Sequence, residues 1–242
     1  MIWVYDDPEQ LSQAAAGFFV QQAQNAVQTH GMFTVALSGG TTPRRTYQLL
    51  SQEPYRDQVP WENVHVFWGD ERCVPFDDPR NNARMAHQAL LDHVPVPSEQ
   101  IHPIHCEEAP MMAALQYEKT LKGFFYEDRP RFDLILLGLG TNGHTASLFP
   151  GTPVIADDRH WVAEVYVEEI DEWRVTLTAW AINQATVVAF LVEGQEKAGV
   201  LRQVLQGARE SQRLPAQLIQ PEEGQLIWFV DRQASSLLKR EV

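Results

Sequence analysis

The sequence has 242 residues and a mass of 27.5 kDa, within the range of one large α/β domain or two small ones. Apolar residues make up 44% and charged residues 21%, with 14 Gly and 15 Pro, which excludes collagen-like, low-complexity and wholly disordered chains. The net charge of −13 argues against nucleic acid or anionic membranes as partners, but leaves room for a small anion held by a few clustered cations.

Ile2–Tyr5 reads as a first strand. The segment Met1–Asp7 has no basic region followed by a long apolar one, so no secretory leader is expected. No apolar run approaches the ~18 residues of a membrane span, and the chain reads as soluble and cytoplasmic. Asp7 offers an N-cap, with Pro8 at the first helical position and Gln10 two further on, for a helix reaching His30. Phe33–Leu37 reads as a buried strand and Pro43–Leu50 as a helix. Val64–Trp68 reads as a strand, Asn82–Leu91 as a helix and Met111–Phe125 as a helix. Phe132–Leu137 is the clearest buried strand. Trp161–Val167, Arg174–Leu177, Val187–Val192 and Leu226–Val230 follow as strands, with helices over Lys197–Leu205 and Ala234–Lys239. Strands alternating with helices, several of them continuously apolar, predict a parallel sheet covered on both faces. Val94–Pro110 carries four prolines and reads as an excursion rather than a linker, so a single domain is expected. The two cysteines, Cys73 and Cys106, are 33 residues apart with no C-x-x-C. They fit a reducing compartment and predict neither a disulfide nor a thiolate zinc site.

Four segments place chemistry just beyond predicted strands, where ligands of open α/β sheets sit. The first is Ser38-Gly39-Gly40-Thr41-Thr42-Pro43. Two glycines free the backbone to form an anion nest, and a helix capped by Thr42 with Pro43 first would aim its positive end at the same place. An ordinary tight turn accounts for the segment equally well. The second is Gly69-Asp70-Glu71-Arg72-Cys73. Arg72 can hold a phosphate or polarise a carbonyl, and Asp70 can orient a hydroxyl or a cation; a solvated charge cluster is the plain alternative. Cys73 reads as a packing residue. The third runs from Gly138 to Gly151 and contains a literal G-x-G-x-x-G. Pro150-Gly151 cuts short the helix that a dinucleotide site needs, so the glycines are read as turning the backbone to aim His144 into a site as general base. In the fourth, Gly194-Gln195-Glu196-Lys197, Lys197 sits in a first helical turn, where the macrodipole disfavours a cation unless an anion is near. A nest, an Arg, a Lys and a His after four different strands suit a phosphorylated small molecule with a reactive carbonyl. No metal-spaced His/Cys/acid cluster is present.

These motifs, with Arg174-Val175-Thr176-Leu177-Thr178 and Leu214-Pro215-Ala216-Gln217, resemble the 6-phosphogluconolactonases of the glucosamine-6-phosphate isomerase/deaminase superfamily, in the family's order and over nearly the whole chain. The run His144-Thr145-Ala146-Ser147-Leu148-Phe149-Pro150-Gly151 resembles the lactonases rather than the deaminases, which continue differently after the His. The resemblance implies a Rossmann-like doubly wound sheet and hydrolysis of 6-phospho-D-glucono-1,5-lactone, the second step of the oxidative pentose phosphate pathway, without organic cofactor or metal. It implies His144 as the base that activates water and then protonates the leaving ring oxygen. The oxyanion would fall to Arg72 or to N–H groups of the glycine turn, Gly143 among them. Ser38, Gly39, Gly40, Thr41 and Lys197 would hold the phosphate, unless Arg72 serves it, and Asp70 would position Arg72 or a sugar hydroxyl. The family usually has Asp where this chain has Asn142; Asn can still hydrogen-bond but supplies no charge. Ser38 and Ser147 are nucleophiles only on paper, since neither sits in G-x-S-x-G. Two rival readings are a sugar-phosphate isomerase or deaminase, and a non-catalytic sugar-phosphate sensor with no need of His144.

Overall fold

Asp7 begins the first helix as its sequence suggests. Its Oδ1 accepts the Gln10 N–H at 2.8 Å, Pro8 follows it, and Gly31 at φ 87° ends the helix. The computed structural model describes residues 1–106, 109–126 and 129–239. In chain order its elements are β1 (Ile2–Tyr5), α1 (Pro8–His30), β2 (Phe33–Leu37), α2 (Thr41–Leu50), β3 (Val64–Trp68), β4 (Asp70–Arg72), α3 (Asn82–Ala89), α4 (Pro110–Phe125), β5 (Leu134–Leu137), β6 (Val162–Val167), β7 (Glu172–Leu177), α5 (Ala179–Ile182), β8 (Val187–Val192), α6 (Ala198–Gln206) and β9 (Gln225–Asp231).

Six strands form one parallel sheet in the order β1-β9-β8-β5-β2-β3. Every residue of β2, β5 and β8 is buried, so both faces of the sheet centre are covered. On α1 the buried positions Leu11, Ala15, Phe19 and Ala23 recur every fourth residue and form one apolar stripe. The chain moves outward from β2 to β3 and then returns to the opposite side of β2 to lay down β5. That reversal opens a crevice at the carboxyl ends of β2 and β5, where the loops carrying Ser38–Gly40 and Gly138–His144 leave the sheet.

A second, antiparallel sheet of order β4-β7-β6 stands at this end and was not foreseen. Gly69 joins the two sheets: its N–H donates to the Leu37 carbonyl and its own carbonyl accepts from Leu177, both at 2.8 Å. Asp70–Arg72, read from sequence as a loop, is therefore a strand. It is held by Glu71, whose carboxylate accepts the N–H groups of Arg72, Asn82 and Ala83 at 2.7, 2.8 and 2.8 Å. Burial pushes the Glu71 carboxyl up to about 7 against the pull of those three donors.

Three other expectations are corrected. Helix α2 begins at Thr41 with Gly40 as N-cap, not at Pro43 behind Thr42, because Gly40 takes φ 106° and starts the turn earlier. Ala234–Lys239 is not a helix, and its residues 234–237 form turns: the Asp231 carboxylate, which accepts the Ala234 N–H at 2.6 Å, caps a segment too short to propagate. Cys73 and Cys106 are joined in a disulfide with Cα atoms 4.7 Å apart. Cys73 extends β4, donating its N–H to the Trp173 carbonyl. The segment leading to Cys106 runs beside β3, where Ile101 bridges Val66 and the His102 N–H reaches the Val66 carbonyl. The two cysteines are neighbours in space only through this pairing, and cysteine usage no longer argues for a reducing compartment.

Candidate active site

The crevice holds a cavity of about 230 Å³. The β2–α2 loop contributes Ser38, Gly39 and Gly40, β4 contributes Asp70 and Arg72, the loop after β5 contributes His144, and Lys197 comes from the residue before α6. These seven were anticipated from sequence. Thr41 and Gly143 do not line the cavity. Thr41 is exposed at the start of α2, and the Gly143 N–H donates to the Gly140 carbonyl at 3.0 Å, so it is not free for an oxyanion. The site also contains Asn82 and Arg174, which sequence reasoning did not place there.

His144 is set by the glycine turn. Gly140 and His144 are bridged by an N–H to carbonyl bond of 2.8 Å, and the imidazole lies so close over Gly140 that a Cβ there would meet its Nδ1 at 2.0 Å. Phe149 stacks on the ring at 4.1 Å between centroids. Asn142 Oδ1 accepts from both the His144 backbone N–H, at 3.2 Å, and the ring Nδ1, at 2.6 Å. An atom that receives the backbone N–H is an acceptor, so Nδ1 carries the proton and Nε2 keeps its lone pair. Burial, opposed by Asp70 and reinforced by Arg174, Lys197 and Arg72 in that order, holds the imidazole at about 4. It is a neutral base at neutral pH.

The cations are arranged for an anion. Arg72 and Arg174 face each other directly across the β4–β7 pair. Like charges in that position repel. The Nε atoms of both are buried without a partner among the described residues, as is Ser38 Oγ. Arg174 is ion-paired to Glu172, which also holds Arg80 at 2.9 Å. Arg72 Nη1 donates to the Arg80 carbonyl and to Asn82 Oδ1, each at 2.6 Å. Helix α2, with no side-chain cap at Gly40, points its open N-terminus along the same loop. Two converging guanidinium groups with unused donors, a lysine and a capless helix end together describe a site for an oxyanion.

Asp70 does not hold Arg72. Its Oδ2 instead accepts the Ser147 hydroxyl at 2.6 Å, and it is the main group favouring a proton on His144. Ser147 is fully buried, which argues against it as a nucleophile. The glycine turn leads into a bridge between Thr145 and Leu148 rather than into a helix, so it lacks the helix end that a dinucleotide pyrophosphate requires.

Residues 6–228 match the family described as glucosamine-6-phosphate isomerases/6-phosphogluconolactonase. The chain belongs to this family. A 6-phosphogluconolactonase of Synechocystis sp. is 43% identical to it over 218 residues, 88% of each chain. One of Nostoc sp. is 36% identical over 239 residues, 97% of each. The structure of the 6-phosphogluconolactonase from Trypanosoma cruzi superposes with a TM-score of 0.87 at 28% identity, covering 99% of this chain and 97% of that one. A monomeric glucosamine-6-phosphate deaminase shares the fold, with a TM-score of 0.81 at 21% identity. Within this family member, the hydrogen bond from His144 to Asn142 is made without the charge that an aspartate would bring.

Proposed function

We propose that this chain hydrolyses 6-phospho-D-glucono-1,5-lactone to 6-phosphogluconate, in the oxidative pentose phosphate pathway, by direct attack of water. The observation that carries the reading is one cavity holding a neutral histidine with a free Nε2 beside two facing arginines with unused donors. Ester hydrolysis needs a base, an oxyanion partner and an acid for the leaving oxygen. His144 Nε2 takes a proton from water as the water oxygen bonds to C1. The imidazolium so formed is favoured by Asp70. Arg174, which lines the same cavity as His144 and has an unused Nε donor, stands with the developing oxyanion. The imidazolium then returns its proton to the ring oxygen as the bond from C1 to that oxygen breaks.

The phosphate lies with Gly39, Gly40, the open end of α2, Lys197 and Arg72. Arg72 donates to Asn82, whose amide packs against Gly39, which supports the phosphate role rather than the carbonyl one. Residues from both sheets build the site, which supports treating the chain as one functional domain. No helix among the described residues is long and apolar enough to cross a membrane. A phosphorylated sugar does not cross a bilayer unaided, which supports a cytoplasmic enzyme acting where its substrate is made.

The test pairs two assays. Freshly generated 6-phosphogluconolactone, corrected for spontaneous hydrolysis, should be turned over. Glucosamine 6-phosphate should release no ammonia. Ammonia release without catalysed lactone hydrolysis would replace this reading with the deaminase one.

A further inference from the structure

Asn82 is the first residue of α3 and is 1% exposed. Its amide is engaged at both ends. Oδ1 accepts from Arg72 Nη1 at 2.6 Å, and Nδ2 donates to the Asp70 carbonyl at 2.9 Å. The amide also packs close against the glycine loop: a Cβ on Gly39 would sit 1.9 Å from Oδ1 and 2.6 Å from Cγ. One side chain therefore touches the Gly39 backbone, the β4 backbone and the Arg72 guanidinium. Arg72 differs here from its neighbour across the strands. Arg174 is paired with a carboxylate, whereas both acceptors on Arg72 Nη1, a backbone carbonyl and an amide, are neutral.

We propose that Asn82 is a positioning residue, which fixes Arg72 against the Gly39 loop so that guanidinium and loop N–H groups converge on one phosphate. It does this with a neutral acceptor, leaving the whole charge of Arg72 for the ligand. The inference rests on the phosphate role given to Arg72 above. A carboxylate in the same place would hold the guanidinium more tightly but neutralise it, and would stand close to the Asp70 carboxylate. The start of α3 does not need the Asn82 side chain. Asn81 Oδ1 caps it by accepting the Arg84 N–H at 2.8 Å, and Glu71 accepts the backbone N–H of Asn82.

The experiment is a double-mutant cycle of Asn82→Ala and Arg72→Ala, read as KM and kcat on the phosphorylated lactone and as inhibition by inorganic phosphate. Asn82→Ala alone should raise KM and the inhibition constant for phosphate by about 10- to 100-fold, the range for losing a charge-assisted contact, with kcat changed far less. In the Arg72→Ala background the same substitution should cost less than about 2-fold, because the residue acts through Arg72. Equal losses in both backgrounds, with a lowered Tm, would reduce Asn82 to a structural residue and overturn the proposal. If Asn82→Ala does not fold, the isosteric Asn82→Asp takes its place. Asn82→Asp should raise KM and the inhibition constant for phosphate, because the carboxylate neutralises Arg72 beside the phosphate, with kcat changed far less; an unchanged KM would overturn the proposal. An Arg72→Ala enzyme with unchanged KM overturns the phosphate role of Arg72 itself, and the inference with it.

Discussion

Asn142→Asp places a full negative charge on the atom that already accepts the His144 Nδ1 proton at 2.6 Å. The wild-type contact is a hydrogen bond to a neutral amide, worth about 1 kcal/mol net, whereas a bond to a charged partner is worth about 1.5–3. The difference of about 0.5–2 kcal/mol favours the imidazolium, and at 1.36 kcal/mol per pH unit it raises the histidine by about one unit. Glu169, 3.5 Å from Asn142 Nδ2, repels the new carboxylate, but it is exposed and water screens it. The base works in its neutral form, and burial holds it at about 4. The acid limb of kcat/KM should therefore move from near pH 4 to near pH 5, with the rate at pH 7–8 still on the plateau. Stability moves with it. The folded value lies below the ordinary 6.5, so the unfolded chain binds the proton first and stability falls as pH drops from about 6.5 toward 4. The substitution should narrow that window from below. Initial rates across pH 3.5–8, paired with urea unfolding at the same pH values, measure both effects. Asn142→Ala is the control and should show no upward move. An acid limb in Asn142→Asp that stays in place or moves down would show that the two side chains are not coupled as described.

Lys197→Ala should weaken use of the phosphorylated lactone by roughly 10- to 150-fold while leaving use of unphosphorylated gluconolactone, expected to be much poorer from the start, nearly unchanged; equal effects on both lactones would remove Lys197 from the phosphate. Arg174→Ala, by contrast, should lower kcat on both lactones by about 100-fold or more, as loss of an oxyanion donor does, and an effect confined to the phosphorylated one would reassign it to the phosphate. Reduction of the Cys73–Cys106 link, which spans 33 residues, should destabilise the fold by about 3 kcal/mol and lower the Tm by roughly 6–12 °C in a thermal scan with a dithiol. An unchanged Tm with both thiols titratable would show that the link adds nothing.

The parallel sheet was legible because apolar runs such as Leu134–Leu137 and Val187–Val192 can be buried only between two layers of helices. The glycine loops, Arg72, His144 and Lys197 were legible because each follows such a run, and in this architecture strand ends meet. The second sheet was not. Asp70-Glu71-Arg72 has no apolar member, and it is buried as a strand because Glu71 caps α3 and Ser147 meets Asp70, contacts made across 11 and 77 residues. Arg174 was hidden for the same reason. It lies in an alternating strand like any surface arginine, and only its register against Arg72 turns it into the cavity. The pairing of Cys73 with Cys106 depends on where the segment ending at Cys106 lies against β3, which no spacing rule encodes. The early start of α2 depends on the positive φ of Gly40, for which Gly is suited but which it does not announce.

The central claim is that His144 carries the proton transfer. The direct measurement is kcat and KM of His144→Ala on freshly generated 6-phosphogluconolactone, with circular dichroism and Tm confirming the fold. The contacts assigned to the phosphate lie on β4, the β2–α2 loop and Lys197, so KM should stay within a few-fold of wild type. The catalysed rate should fall by about 10²–10⁴-fold, the usual size of a general acid–base contribution. A folded His144→Ala enzyme that keeps near wild-type kcat would contradict the account and require another base in the cavity.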